Sequence, residues 1–343
     1  MTPEYSIVVP IFNEEETLEE LFKRLSELMD RLDGATEIIL VDDGSRDGSY
    51  DLMIDIGSRD PRFRIVELSR NFGHQIAITA GLDYAAGNAV IVMDADLQDP
   101  PEVVLEMARR WREGNEVVYA VRQERRGESR FKTMSASFFY RSIARLTDVH
   151  APAEVGDFRL VDRKALDAFR AMRENNRYVR GMFSWIGFQQ TGVPYTREER
   201  YAGKTKYPLR KMLNFAVDAI VSFSNFPLRI ALTLGFLLAG LSFAGGTLAL
   251  VAKLTGSFTV PGWASLVVAV SFLGGIQLMI LGMMGEYVAR IYDEVKNRPL
   301  YFVRNAHGFS SVPRPEPRRR VTHSMHDVAP QSEIEVESEA RPK

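Results

Sequence analysis

Asp94 and Asp96 flank Ala95 directly after a short apolar run, Ala89-Val90-Ile91-Val92-Met93. In extended backbone, residues two apart face the same side. Two carboxylates aimed together at a ligand repel unless a cation joins them. Hard oxygen ligands of this kind suit Mg²⁺ or Mn²⁺. Gln98 adds a carbonyl oxygen, and diphosphate oxygens would complete the shell. Such an ion stabilises the charge that develops on a leaving diphosphate. The competing use of these acids is to cap a helix beginning near Pro100-Pro101. Asp99 is better placed for that task, which frees Asp94 and Asp96 for a cation.

Elements of regular structure must bring such groups together. Tyr5-Ser6-Ile7-Val8-Val9-Pro10 reads as a first strand, and a helix follows with Leu18, Leu21, Phe22, Leu25, Leu28, Met29 and Leu32 at helical spacing. Asn13 and Glu16 stand three apart at its start, as a capping pair would. Glu37 to Val41, Arg64 to Leu68, Ala89 to Met93 and Val117 to Ala120 read as four more strands, most of them separated by helical stretches. This alternation predicts an α/β fold whose mainly parallel sheet is covered on both faces. Ligands of such sheets bind beyond the carboxyl ends of the strands. The polar clusters fall there: Pro10 to Glu14 after the first strand, Asp42 to Ser45 after the second, Asp94 to Asp99 after the fourth. One such cluster is as readily a helix cap; three together point to a site. No G-x-G-x-x-G follows the first strand, which disfavours a dinucleotide dehydrogenase.

The chain has 343 residues and a formal net charge of -2, so nothing suggests a nucleic-acid partner. Cysteine is absent, which excludes disulfides and cysteine-rich zinc sites. The residues after Met1 lack the basic flank and apolar stretch of a signal peptide. Two long apolar runs, about 228–251 and 264–285, are each long enough for the roughly 30 Å core of a bilayer. Lys253 to Trp263 joins them, with Pro261 and Gly262 as breakers, and the whole predicts a transmembrane hairpin over 228–289. Arg210, Lys211 and Arg229 precede it and Arg290, Lys296 and Arg298 follow, whereas the joining loop offers only Lys253; both ends are therefore expected in the cytoplasm. Residues 207–227 have the pattern of an amphipathic helix on the bilayer surface. Small residues such as Gly235, Gly240, Gly274 and Gly282 permit close helix packing and homo-oligomers. Residues 290–308 read as a cytoplasmic juxtamembrane segment and 309–343 as a disordered tail.

V-V-P-I-F-N-E (8–14), V-D-D-G-S-R-D (41–47), N-F-G-H-Q (71–75), M-D-A-D-L-Q-D-P-P-E (93–102) and G-D-F-R-L-V-D-R (156–163) resemble the inverting GT-A family 2 glycosyltransferases. The closer resemblance is to the polyprenyl-phosphate branch, which includes dolichol-phosphate mannose synthases and bactoprenol glucosyltransferases. It runs from about residue 5 to residue 305, and the last two motifs, with the basic stretch through Lys206, are its most specific part. The resemblance implies a GT-A catalytic domain over 1–206, with Pro10, Asn13, Glu14, Asp43 and Ser45 lining the nucleotide pocket. It implies that Asp94 orients the donor and that Asp96 and Gln98 hold the metal. The family usually has tyrosine where Phe12 stands, so no polar contact is assigned to Phe12.

Asp157 of G-D-F-R-L matches the family's candidate base. A phosphate monoester is already largely dianionic at neutral pH and needs little proton abstraction. Asp157 can instead orient the donor sugar or hold a cation, and its role stays open between these. An anionic lipid phosphate must also approach an anionic sugar nucleotide, which requires cations. Arg122 at the end of the fifth strand, Lys132 and Ser135 in the next helix, and Arg200 and Lys206 in the basic loop are assigned to the acceptor phosphate. Arg126 and Lys204 stay unassigned, and His74, as a lone histidine, is read as structural and not as an acid or base.

The reaction implied is inverting transfer of a hexose from a nucleotide diphosphate sugar to polyprenyl (undecaprenyl) phosphate at the inner membrane. Glucose from UDP-glucose is the favoured donor, with mannose and aminoarabinose donors as alternatives. A processive polysaccharide synthase is disfavoured because Q-x-x-R-W is absent. A non-catalytic membrane sensor of sugar nucleotides is disfavoured because Asp94, Asp96 and Asp157 are all present.

Overall fold

A computed structural model describes residues 2–122, 155–198 and 262–309, with isolated helical positions between Ala231 and Thr255. Its centre is an eight-stranded sheet. The strands are β1 (Tyr5–Ile11), β2 (Thr36–Asp42), β3 (Phe63–Leu68), β4 (Ala89–Val92), β5 (Val117–Arg122), β6 (Val155–Asp162), β7 (Gln190–Tyr195) and β8 (Val303–His307). Their order across the sheet is β7-β5-β6-β4-β1-β2-β3-β8. β1 pairs in parallel with β2 and β4, β2 with β3, and β5 with β7. β6 runs antiparallel between β4 and β5, and β8 antiparallel along β3. The expected α/β fold with a mainly parallel sheet is therefore present.

Among the described residues, six helices cover the two faces. α1 (Leu18–Arg31), α2 (Ser49–Arg59) and α4 (Val103–Arg112) pack on one side, while α3 (His74–Tyr84), α5 (Arg163–Ala171) and α6 (Val179–Trp185) pack on the other. Period-two alternation divides β1 between these cores: Ile7, Val9 and Ile11 join the first and Val8 the second. Burial on both faces explains why β1 is apolar nearly throughout. α1 buries Leu18, Leu21, Leu25, Leu28 and Met29, the stripe that its spacing predicts, each worth roughly 1.5–3 kcal/mol. α3 lies close on β1 because residue 81 is glycine; a Cβ there would sit 2.2 Å from Val8 Cγ1.

Two capping expectations are corrected. α1 begins at Leu18 with Thr17 as N-cap, not at the Asn13–Glu16 pair. Asn13 instead adopts a left-handed φ of 55° and its side chain bonds a neighbouring loop. Asp99 does not cap α4, whose N-cap is Glu102; it turns inward to a tyrosine described below.

α7 (Trp263–Lys296) has 34 residues, about 50 Å at 1.5 Å per residue. Within it Phe272–Lys296 is the one helix among the described residues long and apolar enough to cross a membrane, with mean hydropathy 1.4. The apolar run expected over 264–285 thus lies in a helix that continues, unbroken, to Lys296. Most of 228–251 and all of 207–227 lie outside the described residues. The segment expected as a juxtamembrane connection over 290–308 also contains Val303–His307, which completes the central sheet at its β3 edge. Phe309, expected to open the disordered tail, packs edge-on against Tyr84 at 4.9 Å between ring centres; residues 310–343 lie outside the described residues.

Candidate active site

The carboxyl ends of β1, β2 and β4 are neighbours in the sheet, so the polar clusters that follow them converge. Asn13 N–H donates to Ser45 Oγ at 3.0 Å, and Arg46 N–H donates to Asn13 Oδ1 at 2.8 Å. Glu14 N–H donates to Ser49 Oγ at 2.9 Å. Ser45 N–H in turn donates to Asp42 Oδ1 at 3.1 Å. The loops after β1 and β2 are thereby stitched into one rim. Gly44, at φ 70°, lets the loop after β3 close on this rim, since a Cβ would sit 2.6 Å from Asn71 N. Asp43, assigned to the nucleotide pocket, is buried and accepts from Phe72 N–H at 2.7 Å and Gly73 N–H at 2.9 Å. Its carboxylate holds the N-F-G-H loop. Burial nevertheless pushes its pKa up, and those two backbone bonds work against the rise.

The loop held by Asp43 delivers His74 to the start of α3. His74 Nε2 lies 3.5 Å from Asp94 Oδ1 and 3.4 Å from Asp157 Oδ2. Asp157, on β6, is 4% exposed. Arg180 of α6 grips it in a fork, Nε to Oδ1 at 2.9 Å and Nη2 to Oδ2 at 3.1 Å. Gln75 Nε2 donates to Oδ2 at 3.3 Å. Burial alone would raise the pKa of Asp157, but His74 and Arg180 overcome it and hold the group far below the usual carboxylate range. Desolvation lowers the His74 pKa, yet the two carboxylates more than offset that, and the net direction is up. Arg159, buried beneath, donates to the carbonyls of Gly156 at 2.9 Å and Asp157 at 3.3 Å. Desolvation pushes its pKa down to about 10. The Arg180 fork and the His74 imidazole therefore favour the ionised form of Asp157 and weaken it as a proton acceptor.

Asp94 is different. Its Oδ1 is buried and has no hydrogen-bond partner. Burial pushes its pKa up to about 6, with His74 pulling it down and Asp157 pushing it further up. Asp96 follows, its Oδ1 accepting from Gln98 N–H at 3.1 Å, and Leu97 between them has a left-handed φ of 56°. Among the described residues no group of three His, Cys, Asp or Glu side chains forms a ready-made metal cage. The orphaned oxygen on Asp94 and an all-oxygen loop fit Mg²⁺ or Mn²⁺ that takes its remaining ligands from phosphates and water.

Arg122, at the end of β5, donates from Nε to Tyr195 Oη at 3.2 Å. Tyr195 Oη donates to buried Asp99 Oδ1 at 2.5 Å, and Arg197 Nε lies 3.5 Å from the same oxygen. Gly156 backs Arg122; a Cβ there would come within 3.2 Å of Nη2. Lys132, Ser135, Arg200 and Lys206, and the unassigned Arg126 and Lys204, lie outside the described residues.

Sequence reasoning passed over His74, Gln75, Arg180, Tyr195 and Asp99 as site residues. For His74 and Gln75 the signal was present, since they stand in the N-F-G-H-Q motif. Arg180 had none: nothing in its neighbourhood marks it, and only the packing of α6 on the sheet brings it to β6.

Comparison with known proteins places this arrangement among relatives. Residues 6–170 match the Glycosyl transferase family 2. The chain is 51% identical over 308 residues to the uncharacterized glycosyltransferase YkcC of Bacillus subtilis, covering 90% of this chain and 95% of that one. It is 39% identical over 302 residues to the SfII prophage-derived bactoprenol glucosyl transferase of Shigella flexneri, covering 88% of this chain and 98% of that one. Among solved structures it is similar to glucosyl-3-phosphoglycerate synthase from Mycobacterium tuberculosis in complex with Mn²⁺, uridine diphosphate and phosphoglyceric acid. The TM-score is 0.46 at 19% identity, over 64% of this chain and 76% of that one.

Proposed function

The chain belongs to glycosyl transferase family 2, and from that premise we propose that it transfers a hexose from a nucleotide diphosphate sugar to undecaprenyl or a related polyprenyl phosphate. Glucose, from UDP-glucose, is the favoured donor, because several relatives are named bactoprenol glucosyl transferases. The observation that carries the reading is the buried Asp94 Oδ1, which accepts no hydrogen bond, at the carboxyl edge of the sheet where Asn13, Asp42 and Ser45 build their rim. An unsatisfied buried carboxylate oxygen is costly unless a ligand completes it.

The acceptor phosphate oxygen attacks the anomeric carbon in line. The bond from that carbon to the diphosphate oxygen breaks, its electron pair leaves with the nucleoside diphosphate, and configuration inverts. Pro10, Asn13, Glu14, Asp43 and Ser45 form the nucleotide pocket, directly or by holding the rim, and Asp94 orients the donor. Asp96 and Gln98 would hold a divalent ion, which would supply electrostatic stabilisation of the leaving diphosphate. The acceptor arrives already ionised, so no residue need remove a proton from it. Asp157 acts by fixing Arg180 and His74 as cations at the reacting centre. Arg122, with Lys132, Ser135, Arg200 and Lys206, screens the acceptor phosphate from the donor. The hairpin 228–289 anchors the enzyme in the inner membrane, with both ends in the cytoplasm and 207–227 on the bilayer surface. The length and composition of Phe272–Lys296 support that anchor.

The test is transfer of labelled sugar to a short polyprenyl phosphate, screened over UDP-glucose, other UDP-sugars and GDP-mannose with Mg²⁺ or Mn²⁺. Metal-dependent product from one donor is expected. Nucleotide binding without transfer from any donor would favour a sensor.

A further inference from the structure

The chain that leaves α7 is fastened to the catalytic sheet at successive points. Asn175 donates from its backbone N–H to Glu294 Oε1 at 2.5 Å and from Nδ2 to Asp293 O at 3.1 Å. Asn297 ends the helix at a left-handed φ of 50°. Tyr301, 3% exposed, donates to Asp83 Oδ2 at 2.9 Å, and Arg173 Nη1 meets the same oxygen at 2.7 Å. β8 then extends the sheet along β3, and two of its side chains close on one buried acid. Arg304 Nη1 donates to Glu67 Oε1 and its Nη2 to Ser69 O, both at 2.8 Å, while Asn305 Nδ2 donates to Glu67 Oε2 at 2.6 Å.

Glu67 is 6% exposed and is the register partner of Asp42 on the adjacent strand. Two carboxylates at paired positions repel, and here the repulsion falls on the acid whose Oδ1 holds Ser45 N–H. Ser45 Oγ in turn receives Asn13 N–H. Arg304 therefore neutralises a charge that would otherwise press on the rim from behind.

We propose that β8 is a strap by which the segment after the membrane helix sets the nucleotide-binding rim, with Arg304 and Asn305 as positioning residues for the donor. The inference rests on reading that rim as the nucleotide pocket. It goes further, because it makes donor affinity depend on a strand that follows the membrane helix, outside residues 6–170 that match the family.

The test uses the full chain in detergent or nanodiscs, with UDP and Mg²⁺ as the probe in titration calorimetry and thermal unfolding recorded in parallel. Arg304→Ala should raise the Kd for UDP about fivefold, with the KM for polyprenyl phosphate unchanged. Arg304→Lys should stay near wild type. The double variant Glu67→Gln/Arg304→Ala removes the unpaired charge and should recover most of the lost affinity. An unchanged Kd in Arg304→Ala would overturn the proposal. So would a loss that the double variant fails to recover, which would make Arg304 a general structural support. Wild-type protein that binds no nucleoside diphosphate would sink the pocket reading itself, and the strap with it.

Discussion

Asp94 and Asp157 lie on either side of one imidazole, and the protein treats them in opposite ways. Asp157 is sealed on β6, with both oxygens accepting from Arg180, one of them also from Gln75, and His74 beside it. Asp94, just past β4, keeps a buried oxygen with no hydrogen bond, its nearest cation being the His74 imidazole at 3.5 Å. The same residue type thus ends far below its ordinary pKa in one place and at about 6 in the other. A carboxylate neutralised by its own arginine is committed to architecture and to holding that arginine. A carboxylate left unsatisfied is held for something that arrives later. On the proposed function the donor and its cation would lie on the β4 side, facing the Asp157–Arg180 pair on the β6 side.

The comparison breaks most sharply at the cation loop. Asp96→Ala should lower transfer on the order of 10²–10³-fold or more while the unfolding temperature holds. Near-wild-type turnover in that variant would take the metal role away from this loop. Asp157→Asn attacks the other side. It leaves Arg180 and Arg159 facing a neutral group and should cost about 3 kcal/mol of stability in denaturant unfolding. An unchanged midpoint would mean that the Arg180 fork is not part of the architecture. Tyr195→Phe is milder. Without the hydroxyl that links Arg122 to Asp99, the KM for the acceptor should rise about fivefold with kcat little changed; a fall in kcat alone would contradict a role in acceptor positioning.

The smallest expected effect is a flat one. The folded pKa of Asp157 is depressed, so its contribution to stability is complete above the ordinary carboxylate pKa of about 4 and is lost only as pH falls below it. The profile of kcat between about pH 6 and pH 8 should therefore carry no limb from Asp157. A wild-type limb in that range that disappears in Asp157→Asn would restore the proton-acceptor role.

Much of the fold was legible because it is written in local periodicity. The stripe of α1 and the apolar runs of β1 to β5 appear where spacing puts them, since burial of one face or both leaves a pattern that needs no partner to be read. β6, β7 and β8 were not legible. G-D-F-R-L-V-D carries a buried aspartate and a buried arginine that disguise a strand, because their partners, Arg180 for Asp157 and backbone carbonyls for Arg159, assemble only on folding. V-R-N-A-H follows a long apolar helix and looks like a polar connection; pairing with the exposed edge of β3 makes it a strand. Asp99 was read as a cap because its distance from Pro100 suits one, but a tyrosine about a hundred residues later competes for it and wins.

By itself the sequence determined the α/β class, the family and the acids at the carboxyl edge, because strand ends are where such sheets bind ligands whatever their order. Tertiary structure alone decided what each acid is for. Arg180 reaches Asp157, and Arg304 reaches Glu67, across separations that no spacing rule spans. The charge of a buried carboxylate depends on which donors packing brings within about 3 Å of it, and that is a property of strand order and helix placement.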